Sequence, residues 1–556
     1  MNIGEMQRKL SLWADQDKER KFYGLFDLIC NRDWLWLAYE RVAQNAGSKT
    51  AGCDGIDVYG FMQDEVAHID RLHAALESGK FEPCPVRRVY IPKSNGKMRP
   101  LGIPSFLDRI VQEAVRMALE PIYQADFDQH SWGFRPNRCT MDAVSYLYRC
   151  SKEHMKYFWV IEGDISAYFD TINHRKLMKL LRRRIDDEKL LDLIWGFLRS
   201  GVMERKLFKD TTLGTPQGGI VSPLLANVYL HELDLFMRDR CDLTRGRKAG
   251  RRQKEQANYV YARYADDFVI LCNGTHGQAL EMREEVHNFL RDRLHLSLSL
   301  EKTKVTHLND GFDFLGFRLK RCMGQAGMVT KVLIPEKALE KHRTTLRSAL
   351  APSTCDDSIN AKLLAVNRII GGWCRYYQYA GLAAHPFGKM GHVAFWLFAH
   401  WLGRKHKMKM TTVLRTYYSH RAEAQAKVLG YGDRWLVRHQ SFKTKRYLAS
   451  PFKPNPYITQ ERIEREELPD PDPWLGTEAR PGMADLRLLA LERDEYRCCL
   501  CKEAVTKATA QVDHVKSVSR FKRPVDANRL DNLQTLCIPC HAQKTRSDQL
   551  LESRVR

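Results

Sequence analysis

Three aspartates carry the first chemistry in this sequence. "YARYADDFVIL" (261–271) sets Asp266 and Asp267 side by side among Val260, Tyr261, Tyr264, Phe268, Val269, Ile270 and Leu271. Two carboxylates in an apolar hairpin repel each other and lose hydration unless a cation lies between them. The third, Asp164, ends the strand-like "FWVIEGDI" (158–165) and is followed by Tyr168 and Phe169. Carboxylates aimed from one sheet edge suit hard divalent ions. If the strand of Asp164 lies beside the hairpin, Asp164 and Asp266 can hold two Mg²⁺ about 3.5–4 Å apart, the arrangement for in-line phosphoryl transfer. One ion would activate an attacking hydroxyl and the other would neutralise a leaving pyrophosphate.

A second set lies near the C-terminus. "CCLC" (498–501) and "CIPC" (537–540) supply Cys498, Cys501, Cys537 and Cys540, two CxxC pairs able to close a tetrahedral four-cysteine zinc site. Cys499 is an alternative ligand, but Cys498 keeps the x2 spacing. The 35 residues between the pairs (502–536) exceed a simple ribbon, so something further is built in the gap. Most of the 15 cysteines are scattered singly, as expected of free thiols in a reducing compartment.

The elements that must position these groups follow from local pattern. Residues 1–60 read as amphipathic helices ending in the turn "AGCDGID". "RRVYIPK" reads as a strand, "SNGK" as a tight turn and "DRIVQEAVRMALEPIY" as a helix begun by Asp108. "HRKLMKLLRRRI", "ANVYLHELDLFMRDR", 343–350 and 358–382 have helical period. Residues 403–448 are dense in Lys, Arg, Tyr and Trp, and "GRKHKMKM" (403–410) and "RHQSFKTKRY" (438–447) suit phosphates. "ELPDPDPWLGTEARPG" (467–482) reads as a linker.

The 556 residues carry a net charge of +22 with 44% hydrophobic content, a globular composition whose first expected partner is a nucleic acid. The N-terminus has no apolar core of a secretory signal. The longest apolar stretch, "VAFWLFAHWLG" (393–403), is too short to span a bilayer and carries His400. The expectation is a soluble protein without a membrane partner: cytoplasmic and nucleoid-associated in a bacterium, or organelle-encoded, and not secreted.

Several motifs in order resemble reverse transcriptases, and specifically group II intron-encoded reverse transcriptase/maturases. They are "IPKSNGKMRPLGIPSFLDRIVQEAV" (91–115), "SWGFRPNR" (131–138), "DISAYFD" (164–170), "GTPQGGIVSPLLANVYLHELD" (214–234), "YADD" (264–267), "LSLEKTKV" (298–305) and "GFDFLGF" (311–317). The resemblance implies an α+β multidomain chain: a right-hand polymerase with fingers and palm, and an α-helical thumb (domain X). It makes Asp164, Asp266 and Asp267 the metal-binding triad. It assigns Lys97 and Arg99 to the triphosphate, Phe169 to the face beneath the nucleotide sugar and Gln217 to nucleotide and template. "LLAVNRIIGGWCRYYQYAG" (363–381) resembles the maturase segment, with Arg368, Arg375 and Tyr376 as RNA-binding candidates and Trp373 and Tyr377 as core candidates.

"VDHVKSVSR" (512–520), "DANRLDNLQTL" (526–536) and "CHAQKT" (540–545) resemble an HNH endonuclease, a small ββα module stapled here by the zinc site. That likeness makes His514 the general base, has Asn532 hold the motif and orient His514, and gives Asp513 and His541 a single divalent ion, Mg²⁺ by expectation. The expected domains are 1–60 (N-terminal extension and first fingers segment), 61–330 (fingers and palm), 331–450 (thumb), 451–485 (linker or DNA-binding segment) and 486–556 (HNH module). The expected function is RNA-directed DNA synthesis, intron splicing assistance and DNA nicking, with intron RNA, target DNA and dNTPs as partners. The alternatives are a splicing-only RNA-binding maturase and a domesticated reverse transcriptase. Monomer or dimer is left open.

Overall fold

The computed structural model describes residues 2–92, 96, 98–204, 207–209, 218–299, 303–324, 327–421, 424–447, 455–458, 490, 491, 493–505, 510–516, 532–537, 540, 541 and 544. The chain is of mixed α/β type and divides into two compact units. The first comprises Met1–Glu340, Tyr377–Pro386 and the described part of 443–462. The second comprises Lys341–Tyr376, Phe387–Phe442 and the described residues from 490 onward.

In the first unit, β1 (Val86–Pro92) and β2 (Met98–Ile103) form an antiparallel hairpin with Ile91 opposite Arg99. A four-stranded antiparallel sheet of order β6-β7-β3-β8 is built from β3 (Trp159–Asp164), β6 (Tyr259–Tyr264), β7 (Asp267–Cys272) and β8 (Lys304–His307). The short strands β4 (Val202–Glu204) and β5 (Leu207–Lys209) extend the β1–β2 sheet. Helices Thr140–Cys150 and Ser222–Cys241 pack on β6, and helix His276–Leu294 packs on β3. That cover explains why Tyr259–Arg263 and Phe268–Cys272 are buried throughout and, Arg263 apart, read as apolar runs rather than as alternation.

Helix Phe106–Asp126 runs through this core. Its cap is Ser105, whose Oγ accepts from the Asp108 amide at 3.0 Å, so the helix begins two residues before the expected Asp108. Asp108 instead turns inward and accepts from the Cys84 amide at 3.1 Å, and burial pushes its carboxyl up to about 7. Part of the basic C-terminal stretch also packs here. Tyr447, last in the stretch 438–447, donates to Asp142 (2.8 Å), and Tyr457 donates to Glu120 (2.6 Å), so both hydroxyls are used within the fold.

In the second unit, helix Ile359–Tyr377 buries Leu363, Val366, Ile370 and Cys374 along one face, the spacing of an amphipathic helix. Asn367 joins it to the following segment, donating to the Trp435 carbonyl (2.8 Å) and accepting from the Val437 amide (2.9 Å). The C-terminal module contains a two-stranded antiparallel ribbon, Ala510–His514 with Leu533–Cys537, and helical residues at 540, 541 and 544. Its core is small: Leu491, Cys498, Val505, Ala510, Leu536 and Cys537 among the described residues. No helix of the described residues is long and apolar enough to cross a membrane.

Candidate functional site

The strand register brings the three aspartates together. Asp164, last in β3, pairs with Asp267, first in β7, and Tyr264 of β6 also faces Asp267. The turn between β6 and β7 is therefore only Ala265 and Asp266, with Ala265 in the left-handed region at φ +58°. Asp267 stands on the strand, where the sequence pattern put both acids at the turn. Asp266 is half-buried, and its carboxyl is raised by burial and by the neighbouring charge of Asp164, against the lowering fields of Arg99 and Arg263. A pair of acids that repels itself in this way fits the demand for cationic ligands. The field of Arg99 also ties the β1–β2 hairpin to this centre. Lys97 and Gln217 lie outside the described residues.

The turn is held from beneath by a group that motif reading missed. Arg263, inside "YARYADD", is fully buried and forks onto Asp234, Nε to Oδ1 at 2.7 Å and Nη2 to Oδ2 at 2.6 Å. Its Nη1 donates to Asn227 Oδ1 and to the Ala265 carbonyl, both at 2.9 Å. Asn227 and Asp234 are two turns apart on helix Ser222–Cys241, hence on one face. Burial alone would raise the Asp234 carboxyl, but the Arg263 charge and hydrogen bonds hold it below the usual range. Tyr261 donates to the same carboxylate at 2.9 Å. The signal available in sequence was an arginine in a strand otherwise too apolar to carry one.

"SWGFRPNR" closes the other side. The Trp132 amide donates to the Arg263 carbonyl and the Arg263 amide to the His130 carbonyl, each at 2.9 Å. A Cβ on Gly133 would stand 2.3 Å from the Ala265 nitrogen, so only glycine lets this backbone back the turn. Gly218, at φ +117°, approaches the Gly102 carbonyl in the same way, with 2.3 Å left for a Cβ. Phe169 is largely buried, edge-on to Tyr168 (5.4 Å) and to the exposed Phe134 (6.5 Å).

On helix Ile359–Tyr377, Arg368 and Tyr376 lie on the exposed stripe and Arg375 is half-buried. Tyr377 is buried, and Trp373 stacks on His342 at 4.4 Å and 10°. His342 and His439 meet at 2.9 Å between their Nε2 atoms. Burial lowers them to about 4 and about 3, His439 also through its neighbour.

In the C-terminal module the sulfurs of Cys498, Cys501, Cys537 and Cys540 all lie within 4.8 Å of one another. Burial would raise the Cys498 thiol, but amide donors from Cys501, Cys537 and Leu500 bring it down to about 6. Four converging soft donors, one biased toward thiolate, fit a tetrahedral metal. Cys499 is turned away toward Asp494. Asn532 clasps the loop after His514, accepting from the Lys516 amide (2.9 Å) and donating to the Lys516 carbonyl (3.2 Å). Asp513 accepts from the His514 amide (2.8 Å) and faces Lys544 at 3.0 Å, and His541 is on the helical segment.

A carboxylate turn on an antiparallel sheet, within the field of Arg99 on the β1–β2 hairpin, fits the class of nucleotide-polymerising proteins. Family comparison gives the same class: residues 91–319 match the reverse transcriptase (RNA-dependent DNA polymerase) model. Residues 339–418 match the group II intron maturase-specific domain and 497–547 match the HNH endonuclease. The chain belongs to the group II intron reverse transcriptase/maturase family and carries a C-terminal HNH endonuclease domain. It is similar to Protein YkfC of Escherichia coli (strain K12), 40% identical over 63% of this chain and 97% of that protein. It is similar to the group II intron-encoded protein LtrA of Lactococcus lactis subsp. cremoris, 34% identical over 56% of this chain and 59% of LtrA. A putative COX1/OXI3 intron 2 protein of Saccharomyces cerevisiae is 30% identical over 53% of this chain and 39% of its own length.

Proposed function

We propose that this chain copies RNA into DNA at the Asp164–Asp266–Asp267 turn, binds its intron RNA to assist splicing, and nicks target DNA with its HNH module. The observation that carries the first part is the register that sets Asp164 opposite Asp267 with Asp266 in a clamped two-residue turn. In this reading the β6-β7-β3-β8 sheet is the palm, the β1–β2 hairpin belongs to the fingers and the helices from Glu336 to His406 form the thumb. Asp164 and Asp266, with Asp267 nearby, would hold two Mg²⁺, which lower the pKa of a 3′-hydroxyl and neutralise pyrophosphate when bound. Arg99 and Lys97 orient the triphosphate, a fork and a point charge respectively. The flat Phe169 limits room for a 2′-hydroxyl, and Gln217 contacts nucleotide and template.

Arg368, Arg375 and Tyr376 present charge and a ring to intron RNA. In the HNH module His514 accepts the proton of the attacking water, Asn532 fixes its loop, and Asp513 with His541 would hold one divalent ion, Mg²⁺ in this reading. The four cysteines would hold Zn²⁺ as a structural staple. The suggested domain limits are those expected from sequence.

Primer extension on an RNA template with Mg²⁺ and dNTPs tests the palm. Asp266→Ala should lower it by about 10³-fold or more while intron splicing survives. Loss of splicing in a folded variant would reject the separation of the two roles, and equal extension would reject the site. For the staple, a zinc-selective chelator or Cys501→Ser should remove an apparent binding energy on the order of 10 kcal/mol from the module. Nicking should vanish and extension persist; a module that keeps its ordered amides without zinc would refute the assignment.

A further inference from the structure

Between helix Ser222–Cys241 and β6 the chain inserts a second, very different helix, Arg245–Gln253, "RGRKAGRRQ". It carries Arg245, Arg247, Lys248, Arg251 and Arg252, no acid and no buried side chain. Arg247/Arg251 and Lys248/Arg252 are like charges at i,i+4, which repel across one helical turn. Arg245 adds positive charge where the helix dipole is already positive. Gly246 and Gly250 weaken the helix further. Among the described residues none of these five cations has an ion-pair partner; the nearby Glu285 is taken by Arg240 at 3.1 Å.

The backbone is nevertheless pinned. Thr244 caps the Arg247 amide (3.3 Å), Arg251 Nε donates to the Ala257 carbonyl (2.9 Å) and Asn258 Nδ2 donates to the Lys248 carbonyl (3.1 Å). Asn258 is itself tied to Asn273 at the end of β7, its amide donating to the side chain at 2.7 Å. The patch extends to Arg149 in the last turn of helix Thr140–Cys150, since Arg149 and Lys248 both act on the Cys150 thiol, and Arg252 acts on Tyr157. A self-repelling helix held rigidly at the surface is stabilised by a polyanion.

Its place in the fold separates it from the polymerase site. The segment after the helix enters β6 at Tyr259, whereas the aspartate turn follows Tyr264, so the two ends of the strand are about 17 Å apart at the usual rise per residue. Apart from Gln253, its side chains are cations, glycine and alanine, a set suited to phosphates. The chain matches the group II intron maturase-specific domain, which makes a structured RNA the polyanion at hand. Duplex RNA is recognised by shape and by phosphates, without base-edge readout.

We propose that Arg245–Gln253, together with Arg149, is a docking surface for the phosphate backbone of duplex RNA outside the polymerase site. This rests on the reading of the chain as an intron-RNA-binding reverse transcriptase. The test uses the full chain and R245Q/R247Q/K248Q/R252Q, which spares the Arg251 contact to Ala257, with a blunt RNA duplex and a DNA duplex of the same sequence as probes. Binding is followed by anisotropy across salt, and extension on poly(rA)/oligo(dT) is measured in parallel.

The variant should bind duplex RNA about 10- to 100-fold more weakly at low salt, with a log–log salt slope shallower by about 3. Extension, thermal midpoint and DNA affinity should change little, and the all-lysine counterpart of the variant should retain most of the affinity. Unchanged RNA affinity and slope would make the helix a solvated charge run and overturn the proposal. An equal loss for the DNA duplex would overturn the RNA assignment, and a parallel loss of extension would put the helix in the polymerase cleft instead. Absence of extension in the natural chain would count against the polymerase reading alone, because duplex binding is measured without catalysis.

Discussion

Arg263 and Asp234 lie fully buried beneath the aspartate turn as a charged pair, while His342 and His439, almost as deeply buried in the other unit, meet as neutral rings. The first pair is fixed by one fork of two direct hydrogen bonds and two further hydrogen bonds from Arg263, so each charge is answered where it lies. The second pair has a single contact, in which one Nε2 must carry a proton and the other must not. His439 Nδ1 has no partner among the described residues, so a proton there would be unsatisfied, and the geometry favours His439 Nε2 as the donor. The contrast teaches that a buried ion pair keeps its geometry over a wide pH range but is intolerant of losing a partner. A buried neutral pair tolerates replacement but not protonation.

The largest effect in this comparison should come from Arg263→Leu. It leaves Asp234 as an uncompensated buried charge, a loss of about 3–5 kcal/mol. It also frees the Ala265 carbonyl, so extension should fall beyond what the unfolded fraction explains. Arg263→Leu with Asp234→Leu should recover most of the stability in urea melts but not the extension, because the turn remains unclamped. If the double variant recovers both, the pair is a packing device and the positioning role is wrong.

Acid should separate the two units next. Both histidines have folded values below the ordinary 6.5, about 4 and about 3. Between those values and 6.5 the unfolded chain binds more protons, so stability is complete above about 6.5 and declines as pH falls. Two such sites should remove about 2–4 kcal/mol between pH 7 and pH 5. Asp234 is also shifted down, which in an acid favours the charged form, so its charge persists throughout that window. Hydrogen exchange at the two pH values, corrected for intrinsic rates, should show lost protection in 336–377 and 435–442 with 259–272 unchanged. Equal losses in both segments would erase the contrast.

What the sequence disclosed follows the same division. Asp164, Asp266 and Asp267 were legible because a carboxylate inside an apolar strand has few structural uses, and the four cysteines because their spacing is itself the geometry. Arg263 was not, since its meaning depends on Asp234, 29 residues away on a helix whose own pattern reads as ordinary core. His342 and His439 are 97 residues apart, and neither carries a local signal. The Asp108 cap was misplaced because Ser105 and Asp108 are both good capping residues, and burial near Cys84 decided between them. Tyr447 lay in a stretch whose basic composition suggested phosphate binding, whereas its hydroxyl is used by Asp142.

The smallest effect is the sharpest test of the neutral pair. In His439→Gln the side-chain amide can still donate toward His342 Nε2 but does not titrate. At pH 7 the change should cost about 1 kcal/mol, the scale of one hydrogen bond re-formed with poorer geometry. Its value lies in the slope, because one of the two protons taken up on unfolding is gone, so the loss between pH 7 and pH 5 should be about half that of the natural chain. Trp373, stacked on His342, offers a local fluorescence probe of the same transition. An undiminished slope would assign the acid sensitivity to other groups, and the two units would then differ in partner geometry alone.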